Sequence, residues 1–163
     1  MTNLEIIASK VFTKETIIHQ LSVWRFKNQR IVFTNGCFDI LHQGHIDYLS
    51  KAADLGNVLI IGVNSDSSTR NLKGPSRPIN DEYSRSLILA SLHFTNAVIL
   101  FDEPTPYNLI KFILPDILVK GADYKIDQIA GSDIVLANGG QVVTIELLQG
   151  FSTSAIEAKI KRS

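Results

Sequence analysis

An α/β fold, a Rossmann-like parallel sheet of five strands with helices on both faces, is what the sequence predicts. From Arg30 onward, short apolar β-branched runs alternate with segments whose apolar residues recur at helical spacing. One run, Val58-Leu59-Ile60-Ile61-Gly62-Val63, is apolar throughout, as expected of a strand covered on both faces. A length of 163 residues suits one such sheet and is enough to bury a substantial core. Right-handed crossovers between parallel strands then leave ligands at the strands' carboxyl ends.

Residues 1–29 read as a helical lead-in, with Thr13 as a cap and Thr16, Ile17, Leu21 and Trp24 near helical spacing. Residues 30–163 form the main domain. Ile31–Thr34 is the first strand, ended by Gly36, and Ile46, Leu49 and Ala53 mark one face of the helix after it. Val58–Val63 is the second strand. Residues 64–79 are polar and read as a long functional loop. Asn80 is placed to cap a helix carrying Tyr83, Leu87 and Ala90. Ala97–Phe101, Ile117–Val119 and Gln141–Ile145 complete the sheet. Thr105-Pro106 opens a helix that stops before Pro115, and Ser154 with Glu157 fits a capping box for the last helix.

Composition narrows the function. Sixteen basic residues balance sixteen acidic ones, so a general nucleic-acid or membrane-surface role is not expected; a local positive site is. Cys37 is the single cysteine, which rules out an internal disulfide and a four-cysteine zinc site. No signal-peptide pattern and no apolar stretch near the ~20 residues of a membrane span is present. The expected compartment is the cytoplasm.

The segment Thr34-Asn35-Gly36-Cys37-Phe38-Asp39-Ile40-Leu41-His42-Gln43-Gly44-His45 sits where the first strand gives way to the first helix of the sheet. Backbone N–H groups and the macrodipole at a helix start favour an anion, and two imidazoles there can donate to phosphate oxygens. Ordinary helix caps or metal ligands are the competing reading of His42 and His45. Zinc would need a third protein ligand, and Asp39 suits magnesium beside phosphates better. Lys120 to Tyr124 follow the fourth strand. There Lys120 is a point charge for phosphate and Gly121 admits a close ligand, although Asp123 reads equally as a turn residue. Gly150-Phe151-Ser152-Thr153-Ser154 opens the last helix, where hydroxyls serve as caps and, with free N–H groups, as a triphosphate cradle. Lys73, flanked by glycine and proline, is a cation placed to close over phosphates. Arg85, within Glu82-x-x-Arg85, reads equally as a helix-surface pair. Cys37 reads as a small buried hydrophobe, and no G-x-S-x-G elbow is present.

Gly36-x-Phe38-Asp39-x-x-His42-x-Gly44-His45 resembles the signature of the HxGH nucleotidyltransferase superfamily, which includes the cytidylyltransferases. The likeness runs through Val63-Asn64-Ser65-Asp66, Lys73-Gly74, Arg77-Pro78-Ile79-Asn80, Lys120–Tyr124 and Gly150–Ser154. These segments are similar to those of bacterial D-glycero-β-D-manno-heptose 1-phosphate adenylyltransferases, which occur free-standing or joined to a heptose kinase. The likeness covers about residues 30–161, and the length fits the free-standing form. It departs from the family pattern at Ser154, where threonine is usual and the hydroxyl is kept.

The resemblance implies a nucleotidyltransferase domain over 30–163 that transfers AMP from ATP to a sugar 1-phosphate, giving ADP-heptose for lipopolysaccharide core synthesis. His42, His45 and Lys73 would be catalytic. Asn35, Gly36, Cys37, Phe38, Asp39, His45, Lys120, Gly121, Asp123, Tyr124, Ser152, Thr153 and Ser154 would bind the nucleotide, with Asp123 and Tyr124 toward base and ribose. Asn64, Arg77 and Arg85 would bind the acceptor. Magnesium would be the cofactor, touched by Asp39 through water, and a homodimer follows by analogy with small members of the superfamily. The alternatives are a cytidylyltransferase for glycerol 3-phosphate or another small phosphorylated alcohol, a fragment of a class I aminoacyl-tRNA synthetase, and a non-catalytic nucleotide-binding protein.

Overall fold

Alternate residues of the central strands face opposite sides of the sheet, and each side has its own core. In the computed structural model, which describes residues 1–162, β2 (Ile31–Gly36) sends Ile31 and Phe33 to one side and Val32 to the other. β3 (Val58–Asn64), buried along its whole length, divides in the same way into Val58 and Ile60 against Leu59, Ile61 and Val63. On the first side lie α2 (Lys14–Phe26), α6 (Tyr107–Ile113) and α7 (Ser132–Ala137). On the second lie α3 (Gln43–Ala53) and α5 (Glu82–Ser91).

The α/β class holds, but the sheet has six strands rather than the five expected, in the order β1-β4-β3-β2-β5-β6 and parallel at every described pairing. β4 (Ala97–Phe101), β5 (Ile117–Gly121) and β6 (Gln141–Ile145) match the predicted runs. The additional strand is β1 (Val11–Phe12), set between α1 (Asn3–Ala8) and α2 and paired with Val98 and Ile99 at the edge. Two residues are too few to show a strand period. The lead-in therefore contains an edge strand as well as helices, and α2 delivers Ile17, Leu21 and Trp24 to the core.

Polar segments account for the other differences. Residues 64–79, expected as loop, contain α4 (Asp66–Lys73), capped by Ser65. Its buried residues are Ser68 and Thr69, so no apolar stripe announced it. α5 is capped by Asp81, not Asn80, through Ser84 N–H to Asp81 Oδ1 at 2.9 Å. α6 is capped at Pro106, one residue after the expected Thr105. In α3 the buried side chains are Tyr48, Leu49 and Ala52, with Ile46 and Ala53 only half-buried beside them.

From β2 the chain crosses by α3 to β3 on one side, and from β4 by α6 to β5 on the other. The carboxyl ends of β2 and β5 thus flank a topological switch point, where a crevice must open. Because α2 shares the core, Leu21→Ala is expected to lower unfolding stability by about 2–4 kcal/mol in urea titration. A loss under ~1 kcal/mol would place α2 outside the cooperative core.

Candidate active site

A cavity of about 710 Å³ lies at that switch point. Its wall combines the end of β2 (Asn35 to Phe38), the start of α3 (His42, Gly44, His45), the end of β5 (Lys120, Gly121) and Asp123 and Tyr124 after it. Lys73 from the last turn of α4 and Ser152 to Ser154 at the start of α8 (Thr153–Arg162) close it.

Close ring packing orders the histidines. Phe38 adopts a left-handed backbone (φ 48°), and its ring packs so near Gly36 that a Cβ there would stand 2.9 Å from it. Only glycine admits that approach. The Phe38 ring meets His45 edge-on at 5.3 Å, and His45 stacks on His42 with centroids 3.8 Å apart. A Cβ on Gly44 would lie 3.1 Å from both the His42 ring and Phe151 Cβ, so this glycine lets the α8 entry sit directly on the start of α3. His42 caps α3 without a side-chain hydrogen bond, which leaves first-turn amides for a ligand.

The electrostatics suit a visiting anion. Burial, reinforced by His42 and Lys73, pushes the His45 pKa down to about 4, and burial lowers His42 as well. Both imidazoles are therefore neutral at pH 7, and the Nδ1 atom of each is buried with no hydrogen-bond partner among the described residues. Burial also lowers Lys120 to about 8, with Asp123 opposing, while its amine lies 5.4 Å from the Tyr124 ring centroid. An incoming polyanion favours the charged form of each. Tyr48, one turn after His45, pairs with Thr34 at 2.8 Å, and burial raises its pKa to about 12. Its spacing from His45 was the signal that sequence reasoning passed over.

Asn64 also lines the cavity, its amide donating to Ser68 Oγ at 3.0 Å. Three of the expected site residues do not line it. Arg85 is fully buried and donates to Asn80 O (2.9 Å), Cys37 O (2.6 Å) and Asp66 Oδ1 (2.9 Å), stitching α4, α5 and the motif loop together. Arg77 pairs with Asp39 at 2.5 Å and with Glu157 at 2.6 Å. Asp39 accepts Arg77 and the N–H groups of Ile79 (2.8 Å) and Asn80 (2.9 Å). Although burial opposes it, these donors hold the Asp39 carboxyl below the usual range. The geometry thus engages Arg77, Arg85 and Asp39 with protein partners, where acceptor and metal contacts had been expected. Ser152, not Ser154, caps α8, accepting from Ala155 N–H at 3.1 Å, and Glu157 pairs with Arg77 instead of closing a capping box.

For a metal, the cavity wall supplies one carboxylate, Asp123, and no group of three His, Cys, Asp or Glu able to hold an ion occurs among the described residues. Asp123 would be the wall carboxylate able to touch a magnesium ion, which commonly keeps several waters and takes one or two protein carboxylates.

The Rossmann-like sheet opens this cavity at the carboxyl ends of its strands, where open α/β sheets bind ligands. A family model described as cytidylyltransferase-like matches residues 33–159. The chain belongs to the cytidylyltransferase-like family. It is 53% identical over 152 residues to the bifunctional protein HldE of Campylobacter jejuni subsp. doylei, covering 93% of this chain and 32% of that protein. It is 44% identical over 149 residues to HldE of Azorhizobium caulinodans, covering 91% and 31%. The chain spans about a third of the length of these relatives. The crystal structure of the lipopolysaccharide core biosynthesis protein from Thermoplasma volcanium is similar at 32% identity and a TM-score of 0.61, over 74% of this chain and 97% of that one. At 16% identity, a pantoate–β-alanine ligase from Francisella tularensis (TM-score 0.54, 93% and 76% covered) shares the fold. No helix of the described residues is long and apolar enough to cross a membrane.

The depressed His45 pKa has a consequence for stability. The unfolded chain protonates this imidazole near pH 6.5, the folded chain only near 4. The stabilisation is complete above 6.5 and lost as pH falls from there to 4. Thermal unfolding of wild type and His45→Gln at pH 7 and pH 4.5 checks this. The variant is expected to lose less stability than wild type over that interval, and an equal loss contradicts the assignment.

Proposed function

We propose that the protein transfers AMP from ATP to D-glycero-β-D-manno-heptose 1-phosphate, releasing pyrophosphate and giving ADP-heptose for lipopolysaccharide core synthesis. The observation that carries this is the meeting of His42, His45, Lys73, Lys120 and Ser152 to Ser154 around one cavity. The similarity to HldE proteins and to a lipopolysaccharide core biosynthesis protein supports the choice of pathway.

The acceptor brings its own nucleophile. A phosphate monoester has a second pKa near 6 and is largely dianionic at neutral pH, so no enzymic base is required. The obstacle is repulsion between an anion and a polyanion. His42 and His45, neutral in the free protein, line the cavity, and a phosphate bound there favours their protonated, donating form. They stabilise charge on the α-phosphate as it is attacked in line. Lys73 and the first turn of α8 hold the β and γ groups, Lys120 meets phosphate as a point charge, and Asp123 and Tyr124 receive the nucleoside. Asp123, the one carboxylate on the wall, would be the residue to touch a magnesium ion there, and the ion would supply neutralising charge for the pyrophosphate leaving group.

His45→Ala is expected to reduce kcat by about 10²-fold, as for a lost oxyanion donor, in a pyrophosphate-release assay with ATP and heptose 1-phosphate. Turnover near wild type refutes the role. Mass spectrometry of the product with ATP or CTP, against heptose 1-phosphate and glycerol 3-phosphate, is expected to show ADP-heptose. A CDP product overturns the substrate reading. ATP binding at pH 8 is expected to take up protons as Lys120 regains its charge, seen as a buffer-dependent heat in calorimetry. A heat independent of buffer ionisation contradicts that.

A further inference from the structure

Helix α8 buries none of its described residues, yet its first turn contributes Thr153 and Ser154 to the cavity wall. Its entry turn at Gly150 offers no anchor, since a Cβ there would meet nothing within 4 Å. A helix that packs so little requires a fixed point if its first turn is to face phosphates reproducibly. Two of the contacts that hold it to the body bear on its first turn. Phe151 rests on Gly44, and Glu157 pairs with Arg77 at 2.6 Å.

Arg77 is not a surface cation. Its side chain is 11% exposed, and its other terminal nitrogen holds Asp39, whose carboxylate is fully buried. Asp39 belongs to the loop that leads into His42, and Asn80 returns to the same residue, its amide donating to Asp39 O at 2.7 Å. Glu157 stands one helical turn after Thr153 and Ser154. One planar guanidinium therefore joins the histidine-bearing loop to the hydroxyl-bearing helix, a task suited to arginine's fixed fork of donors.

We propose that Arg77 and Glu157 are positioning residues that latch the first turn of α8 over the nucleotide cavity, in register with His42 and His45. The inference rests on the nucleotide reading of that cavity. The latch acts on nucleotide binding and not on the chemical step, because neither side chain lines the wall. Holding Glu157 fixes the rotation of α8, so the hydroxyls and amides of its first turn stay aimed inward. Releasing Glu157 leaves Arg77 bound to Asp39 and frees the helix alone.

The test uses Glu157→Gln and Glu157→Lys in the full chain, since an Arg77 variant strips a buried carboxylate of a partner and endangers folding. Amide hydrogen exchange without ligand is expected to quicken in residues 153–162 and nowhere else, with the melting temperature unchanged. The ATP dissociation constant is expected to rise about fivefold in Glu157→Gln, the scale of a partly exposed ion pair, and further in Glu157→Lys. At saturating ATP, kcat is expected to stay within about twofold of wild type, a split that general destabilisation would not give. Wild-type exchange in α8, or ATP binding unchanged or tighter in Glu157→Gln, overturns the latch. Failure of wild type to bind ATP overturns the nucleotide reading instead, and the exchange measurement still judges the latch by itself. If Glu157→Lys does not fold, Glu157→Gln decides alone.

Discussion

Because β2 lies between β3 and β5, and the crossovers serving its two neighbours run on opposite sides of the sheet, no crossover helix can roof the ends of β2 and β5. Everything functional about this fold follows from that opening. Gly36 to Phe38 leave β2 into it, and Lys120 and Gly121 leave β5 into it. The start of α3 stands at its mouth with uncapped amides. Segments distant in sequence reach one volume because the parallel order leaves them no other shared edge.

The opening is lined so that a negative ligand completes it. The free site holds imidazoles kept neutral by burial and a lysine brought near its titration point by the same cause. Buried nitrogens without partners are costly, on the order of 1–3 kcal/mol each. A phosphate chain in the cavity favours the charged form of the imidazoles and of Lys120. The arrangement thus favours a charged ligand over an empty or neutral state without any permanent cluster of exposed positive groups, which agrees with a chain of balanced charge.

The sheet was legible where runs were long and apolar. β2 to β6 and the face of α2 follow from residues such as Val58 to Val63 and Ile17, Leu21 and Trp24, whereas α5 buries Arg85, Ser86, Leu89 and Ala90 and leaves the expected Tyr83 exposed. β1 was not, because Val11 and Phe12 carry no period, and α4 was not, because its inward residues are Ser68 and Thr69. The composition of the cavity could be read at Asn35 to Phe38, at the two histidines and at Ser152 to Ser154, since each stands at a strand end or helix start. Arg77, Arg85 and Asp39 could not be placed. A charge in sequence does not say whether it faces a ligand or an opposite charge, and here the partners, Asp66, Glu157 and the amides of Ile79 and Asn80, lie on other elements. Glu157 shows the same difficulty from the other side, since its spacing from Ser154 fits a cap while its actual partner is Arg77.

The convergence itself is tested most directly by a crystal structure with magnesium and a non-hydrolysable ATP analogue. The account requires the α-phosphate within hydrogen-bond distance of the His42 and His45 rings while the β and γ groups of the same molecule contact the amides or hydroxyls of residues 152–154. A triphosphate that reaches one of these segments and leaves the other empty, or that binds outside the cavity, contradicts it.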